Sequence, residues 1–247
     1  MPTYFNINYE LSIPAVHRRI DERLGQDGAA YLCVADGNVL QQVHRDPAYR
    51  LVVGGSLFSI CDSSWVPLYL RWIYGVKGQQ YCGSQIFDDI LRTRRYRMLF
   101  LGASDDVLAA LKTRLAAQYN PRIAHMTFLS LPFCDVHEFD YPGIAATINA
   151  DRPDIIWLAL GAPKQEVFAS RLVPHLHHGI VIPVGAVFKF YSGVGQHRAP
   201  AWVVRARLEW LYRILGEPRK QLTRCWDILR TTPAILYHAW RHRSVDR

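Results

Sequence analysis

The sequence predicts an α/β protein: a Rossmann-like parallel-sheet core followed by a basic, all-helical C-terminal appendage. Three observations predict it. Short apolar runs alternate with longer segments of helical periodicity from about residue 29 to residue 190, as in a parallel sheet covered on both faces. Several of those runs lead into glycine, among them 97–102 at Gly102, 154–160 at Gly161 and 180–184 at Gly185, and such strand ends are where open α/β sheets hold ligands. Beyond Pro200 the pattern is helical only, and the charge changes with it. Residues 1–193 hold 18 Lys and Arg against 17 Asp and Glu, whereas residues 194–247 hold 11 against 4. The last fifth therefore carries nearly all of the net charge of +8, and the boundary is placed between a core of 1–193 and an appendage of 194–247.

The elements follow in order. Residues 29–34 read as a strand, with a turn at Ala35-Asp36-Gly37-Asn38 and Asn38 able to cap a helix running to Arg45. The β-branched run 51–54 reads as a second short strand. Ser63 and Ser64 can cap a helix over 65–74, with Pro67 in its tolerant first turn, and Ser84 can cap another over 85–92. Residues 97–102 form a strand. Residues 105–119 are helical, with Val107, Leu108, Leu111 and Leu115 on one face. Strands at 123–129, 154–160 and 180–184 alternate with helices at 144–150 and 163–176. The appendage reads as helices at 202–215, 219–229 and 234–241.

Composition narrows the function classes. Half of the residues are apolar, enough for a sizeable core. No apolar run approaches the roughly 20 residues that span a bilayer, and the N-terminus lacks a basic, then apolar, leader pattern. Five cysteines with no CxxC spacing argue against a zinc site or disulfide framework and for a reducing cytosol. The appendage also carries Trp202, Trp210, Trp226 and Trp240. Basic and aromatic residues together suit an anionic membrane surface, a polyphosphate ligand or nucleic acid.

The chemistry-bearing candidates cluster after strands. In Gly161-Ala162-Pro163-Lys164-Gln165-Glu166, proline at a helix start wastes no amide proton, and the helix N-terminus favours an anion. Gln165 offers a donor and an acceptor suited to a base or sugar edge. Gly185 closes the next strand. Asp62, beside apolar residues at a strand-to-helix junction, can serve as a general base, although an Asp there is more often a helix cap. Asp36 and Asn38 sit in a turn that could present polar groups at a strand end. Arg198, Arg213, Arg219 and Arg224 could neutralise a diphosphate through bidentate contacts. No Asp-x-Asp, GxGxxG, Walker or Gly-x-Ser-x-Gly motif occurs, and the histidines show no metal-ligand spacing.

Taken together, these pieces resemble the WecG/TagA/CpsF family of bacterial glycosyltransferases. The resemblance is carried by Asn149-Ala150, Pro153-Asp154, Leu160 to Glu166, Val184-Gly185-Ala186, Phe188 and Phe190, Gly193, Arg198-Ala199-Pro200, Trp202, Leu208 to Arg213 and Glu217-Pro218, in that order. The N-terminal half matches more loosely, with Cys61-Asp62-Ser63 where the family has Ala-Asp-Gly, Asp36-Gly37-Asn38 where it has Thr-Pro-Asn, and Cys82-Gly83-Ser84 where it has Thr-Gly-Ser. The chain departs from the family at Lys189, which stands for an Asp, and at Gln80, which stands for an Arg.

The resemblance implies an inverting transfer from a UDP-sugar to a polyprenyl-diphosphate-linked saccharide at the inner face of the cytoplasmic membrane, in the manner of an exopolysaccharide branch. It implies Asp62 as the base. It also implies donor or acceptor contacts from Asp36, Asn38, Ser84, Gly161, Pro163, Lys164, Gln165, Glu166, Gly185, Lys189 and the four appendage arginines. No metal or other cofactor and no nucleic acid is expected, and a homo-oligomer is compatible. Two other readings stand beside it: a basic nucleic-acid-binding protein, and a non-catalytic assembly partner with the same fold.

Overall fold

The computed structural model describes residues 3–194 and 218–242, with side chains in the second segment at 223 and 226–241. The main sheet has five strands: β1 (Gly28–Tyr31), β4 (Met98–Gly102), β5 (Thr127–Leu129), β6 (Ile155–Ala159) and β7 (His178–Pro183). They lie in the order β1-β7-β6-β4-β5, and every neighbouring pair is parallel. A second parallel pair joins β2 (Cys33–Ala35) to β3 (Ser59–Cys61). The predicted parallel-sheet architecture is therefore present.

Helices cover both faces, and strand alternation sorts the core between them. Leu99, Leu101, Ile156, Leu158 and Val181 join one cluster, packed by α2 (Gly37–Arg45), α3 (Pro47–Gly54), α4 (Val66–Tyr74), α7 (Tyr141–Asp151) and α8 (Lys164–Leu172). Met98, Phe100, Ile155, Trp157, Ile180 and Ile182 point the other way, into α1 (Ile13–Leu24), α5 (Gly83–Thr93), α6 (Asp105–Gln118) and α9 (Val187–Ser192). The last described helix, α10 (Pro218–His242), sends Ile235 and Ala239 into the first cluster. It packs along α2 and α4, with Gln41 Nε2 donating to Thr231 Oγ1 at 2.6 Å. This part of the predicted appendage is thus docked on the core.

Several elements differ from expectation for identifiable reasons. The single strand expected at 29–34 is two strands in two sheets. Leu32 N–H still donates to Val181 in the main sheet, but Cys33 N–H donates to Phe58, so the chain changes sheets at Leu32. The run 51–54 is the end of helix α3, not a strand. Asp46 caps it by accepting from Ala48 N–H, Pro47 begins it, and Tyr49 and Val53 are buried one turn apart. Asp36, not Asn38, caps α2, accepting from the Asn38 and Val39 amides at 2.9 and 3.0 Å. The cap of α5 is Cys82, with Gln85 closing a capping box, so Ser84 lies inside the first turn. Residues 121–125 form a short 3₁₀ turn before β5. The two helices expected at 219–229 and 234–241 are one helix running through Pro233. Thr231 and Thr232 turn their hydroxyls onto the Asp227 and Ile228 carbonyls just before it. The helix expected at 202–215 lies outside the described residues.

Candidate active site

In parallel sheets every strand delivers its C-terminal end to the same rim, and here the candidates collect there. Asp36 follows β2, Asp62 follows β3, Gly161 follows β6 and Gly185 follows β7. Asp62 N–H donates to the Ala35 carbonyl, which continues the β2–β3 ladder by one step and sets Asp36 and Asp62 side by side.

The Asp62 carboxylate is oriented by the start of α5. Its Oδ1 accepts from Gly83 N–H at 2.9 Å, and its own carbonyl accepts from Gln80 Nε2 at 2.9 Å. Gly83 in turn stands against β2 and the residue after β7: a Cβ there would lie 3.4 Å from Val34 and 3.8 Å from the Val184 carbonyl. Gly185, at φ +58, then faces the next turn, with its ideal Cβ 3.5 Å from Gln165 Oε1 and 4.0 Å from Gly161 Cα. One continuous set of contacts thus runs from Asp62 through Gly83 and Val184-Gly185 to the Gly161–Gln165 turn.

That turn is tightly wired. Gly161, at φ +87, donates its N–H to Gln165 Oε1 at 3.0 Å, while its carbonyl accepts from Gln165 N–H. An L side chain would strain that backbone, which is why glycine follows the strand here. Gln165 Nε2 donates to Glu166 Oε1 at 2.8 Å, and Tyr49 Oη donates to Glu166 Oε2 at 3.0 Å. Glu166 is fully buried, and burial pushes its carboxyl up from 4.5 to about 7, against the opposing pull of the Gln165 and Tyr49 hydrogen bonds. The nearby Asp36 charge pushes in the same direction as burial.

The other predicted residues are placed as follows. Lys164 is half-buried, donates Nζ to the Cys134 carbonyl and lies 4.9 Å from the Phe139 ring centroid. Pro163 is exposed at the start of α8 after a cis Ala162–Pro163 bond. Ser84 Oγ lies 3.2 Å from Cys82 Sγ, and its carbonyl accepts from Tyr191 Oη. Asn38 is half-buried in the first turn of α2. Lys189 is exposed on α9. Arg198 and Arg213 lie outside the described residues, and Arg219 and Arg224 stand on α10 with side chains outside them. Among the described residues, no three His, Cys, Asp or Glu side chains group as a metal site.

The sequence matches the family described as "Glycosyl transferase WecG/TagA/CpsF family" over residues 3–247. The chain belongs to this family. Two relatives agree in kind. One, from Bacillus spizizenii strain W23, is 26% identical over 218 residues, covering 87% of this chain and 82% of the relative. The other, from Bacillus subtilis strain 168, is 26% identical over 220 residues, covering 87% and 81%. Both are named N-acetylglucosaminyldiphosphoundecaprenol N-acetyl-beta-D-mannosaminyltransferase. The activity in the family's description is glycosyl transfer. Tyr49, which holds the buried Glu166, was not among the sequence candidates. Its signal was available in the Asp46-Pro47 helix start and the Tyr49–Val53 spacing, but the β-branched run that follows masked it.

Proposed function

We propose that this glycosyltransferase moves a sugar, with inversion, from a UDP-sugar to a polyprenyl-diphosphate-linked saccharide. The setting is cell-surface or exopolysaccharide synthesis at the inner face of the cytoplasmic membrane. The observation that carries it is the Asp62 carboxylate. It stands at a strand's C-terminal end, aimed by the Gly83 amide, on the same rim as the glycine turn that opens α8. The names of the two relatives supply the acceptor class, a lipid diphosphate bearing N-acetylglucosamine.

The chemistry then follows from the residues. Asp62 accepts the proton of an acceptor hydroxyl as its oxygen attacks the anomeric carbon from the face opposite the leaving group. The new C–O bond forms as the bond to the diphosphate breaks, and UDP leaves with its added negative charge. Positive potential at the α8 N-terminus and the appendage arginines Arg198, Arg213, Arg219 and Arg224 stabilise that charge most strongly in the transition state. Gly161, Pro163 and Gly185 hold the nucleotide end, while Gln165, bonded to the Gly161 amide and to Glu166, and Lys164, bonded to the Cys134 carbonyl, fix the turn from behind. Asp36, Asn38, Ser84 and Lys189 line its sugar and diphosphate side, and Glu166 holds the Gly161–Gln165 turn. Arginine cations take the place of a divalent metal, so no metal is required.

The test is a panel of UDP-sugars, beginning with UDP-N-acetylmannosamine, offered with a short prenyl-diphosphate N-acetylglucosamine. Transfer of one sugar with inverted anomeric configuration is expected. Retained configuration, or no transfer from any nucleotide sugar, contradicts the proposal.

A further inference from the structure

Helix α4 is apolar on both faces. Among its nine residues, Val66–Tyr74, Arg71 is the one charge. Val66, Leu70, Ile73 and Tyr74 are buried. On the other side Trp65, Leu68 and Trp72 follow one another at three and four residues, a single helical stripe, and are 51%, 42% and 75% exposed. A helix apolar all round belongs in an interior or against another apolar phase. A stripe of this kind exceeds the scattered exposure of single apolar residues that needs no explanation. The neighbouring α10 adds exposed Trp226, Leu229, Tyr237 and Trp240.

The charges around the stripe select its occupant. Between Asp62 and Asp88 the chain has no acidic residue, while Arg71 and Lys77 are exposed. On α10, Arg230 and Arg241 are exposed, and Asp227 lies 3.9 Å from Arg45. Exposed tryptophans with basic neighbours match the boundary between acyl chains and anionic headgroups. A second copy packed face to face here would set Arg71 and Lys77 against their own like charges. Among the described residues no helix is long and apolar enough to cross a membrane, and α4, about 13 Å long, can only lie in the interface plane.

We infer that the outer face of α4, with the exposed aromatic residues of α10 beside it, docks on an anionic phospholipid bilayer. The contact is thus built into the core as well as into the basic appendage. Asp62 stands four residues before the first residue of α4. Docking therefore holds its carboxylate near headgroup level, where a lipid-linked diphosphate saccharide is presented; this last point rests on the proposed function, while the docking itself does not.

The experiment uses the full chain and a Leu68→Ser/Trp72→Ser variant, both positions being exposed. Phe133→Ser serves as the comparison, an exposed aromatic at the opposite edge of the sheet, after β5. Co-sedimentation is measured with vesicles of phosphatidylglycerol and phosphatidylethanolamine, and with phosphatidylcholine alone. Wild type should bind the anionic vesicles and release them as salt rises. The double variant should bind them roughly tenfold more weakly or worse, with an unchanged melting temperature, and Phe133→Ser should bind as wild type does. Equal binding by the double variant, absence of binding by wild type, or equal binding to phosphatidylcholine overturns the inference. So does a dimer-to-monomer change on sedimentation with vesicle binding intact, which assigns the face to a subunit contact. Transfer to a short water-soluble acceptor is measured in parallel. If neither protein transfers sugar while the binding difference persists, the docking surface stands and the proposed function falls.

Discussion

Two strand–turn–helix units open onto the same rim and are built in opposite senses. In β6–α8, the helix turns polar groups inward: Gln165 and Glu166 are buried, and Tyr49 and the Gly161 amide saturate them. Its outer positions, Lys164, Ser170 and Arg171, are polar as on an ordinary surface helix. In β3–α4, the polar group stays at the rim, where Asp62 is half-buried and held by Gly83, and the helix that follows turns Trp65, Leu68 and Trp72 outward. A buried carboxylate with a saturated shell gives rigidity and a displaced titration, whereas a half-buried carboxylate at the rim can still meet a substrate. In the proposed function the first unit shapes the nucleotide end of the crevice, and the second carries the proton transfer on the acceptor's side.

That contrast can be broken by mutation. The largest effect is expected at the rim: Asp62→Asn should lower transfer roughly 10²–10⁴-fold, since a general base is lost while the Gly83 amide keeps an oxygen to bond. Near-normal steady-state turnover by this variant across pH would remove Asp62 from the mechanism.

The inward unit should instead answer in stability. Glu166 has a folded pKa raised from 4.5 to about 7, so the native state binds its proton more tightly than the unfolded chain does. Its contribution is fully present below about pH 4.5 and is lost as pH rises toward 7, with an amplitude on the order of 3 kcal/mol at about 1.4 kcal/mol per pH unit. Glu166→Gln should flatten that part of the stability–pH curve in urea titrations. An unchanged slope between pH 4.5 and 7 would show that Glu166 is not the group responsible.

A smaller effect is expected at the turn. A Cβ on Gly161 meets no atom within 4 Å, so the cost of Gly161→Ala is conformational, from φ +87, and about 1–2 kcal/mol. Thermal melts should show a drop of a few degrees, and an unchanged melting temperature would mean the turn can adopt another backbone. The smallest expected effect is that of chelation. Activity should survive EDTA, given the missing Asp-x-Asp and the clustered arginines. Loss on chelation with recovery on magnesium or manganese would return the diphosphate to a metal.

Much of the inward unit was legible in the sequence, because its signals are local. An apolar run, a glycine and a proline within a dozen residues mark the end of β6 and the start of α8. The outward unit was harder. Asp62 alone reads as a cap, and the residue that aims it, Gly83, comes 21 positions later. Tyr49 and Glu166 meet across 117 positions, and the segment bearing Tyr49 read as leading into a strand because Val52 and Val53 are β-branched. There, an Asp cap and tertiary burial overrode local propensity. The break of the first strand at Leu32 was equally hidden, because one continuous apolar run feeds two sheets. The stripe on α4 was visible as a helix, but its exposure follows from which face α10 and the core cluster leave uncovered.

In the proposed function Asp62 supplies the chemistry while the Gly161–Glu166 unit supplies the nucleotide cradle. Calorimetric titration of UDP and single-turnover transfer, on the same preparations of wild type and Asp62→Asn, separate the two. UDP affinity within about twofold of wild type, with the single-turnover rate reduced by two orders of magnitude or more, is the predicted result. A parallel fall in UDP affinity and rate, or a rate left intact, would contradict it.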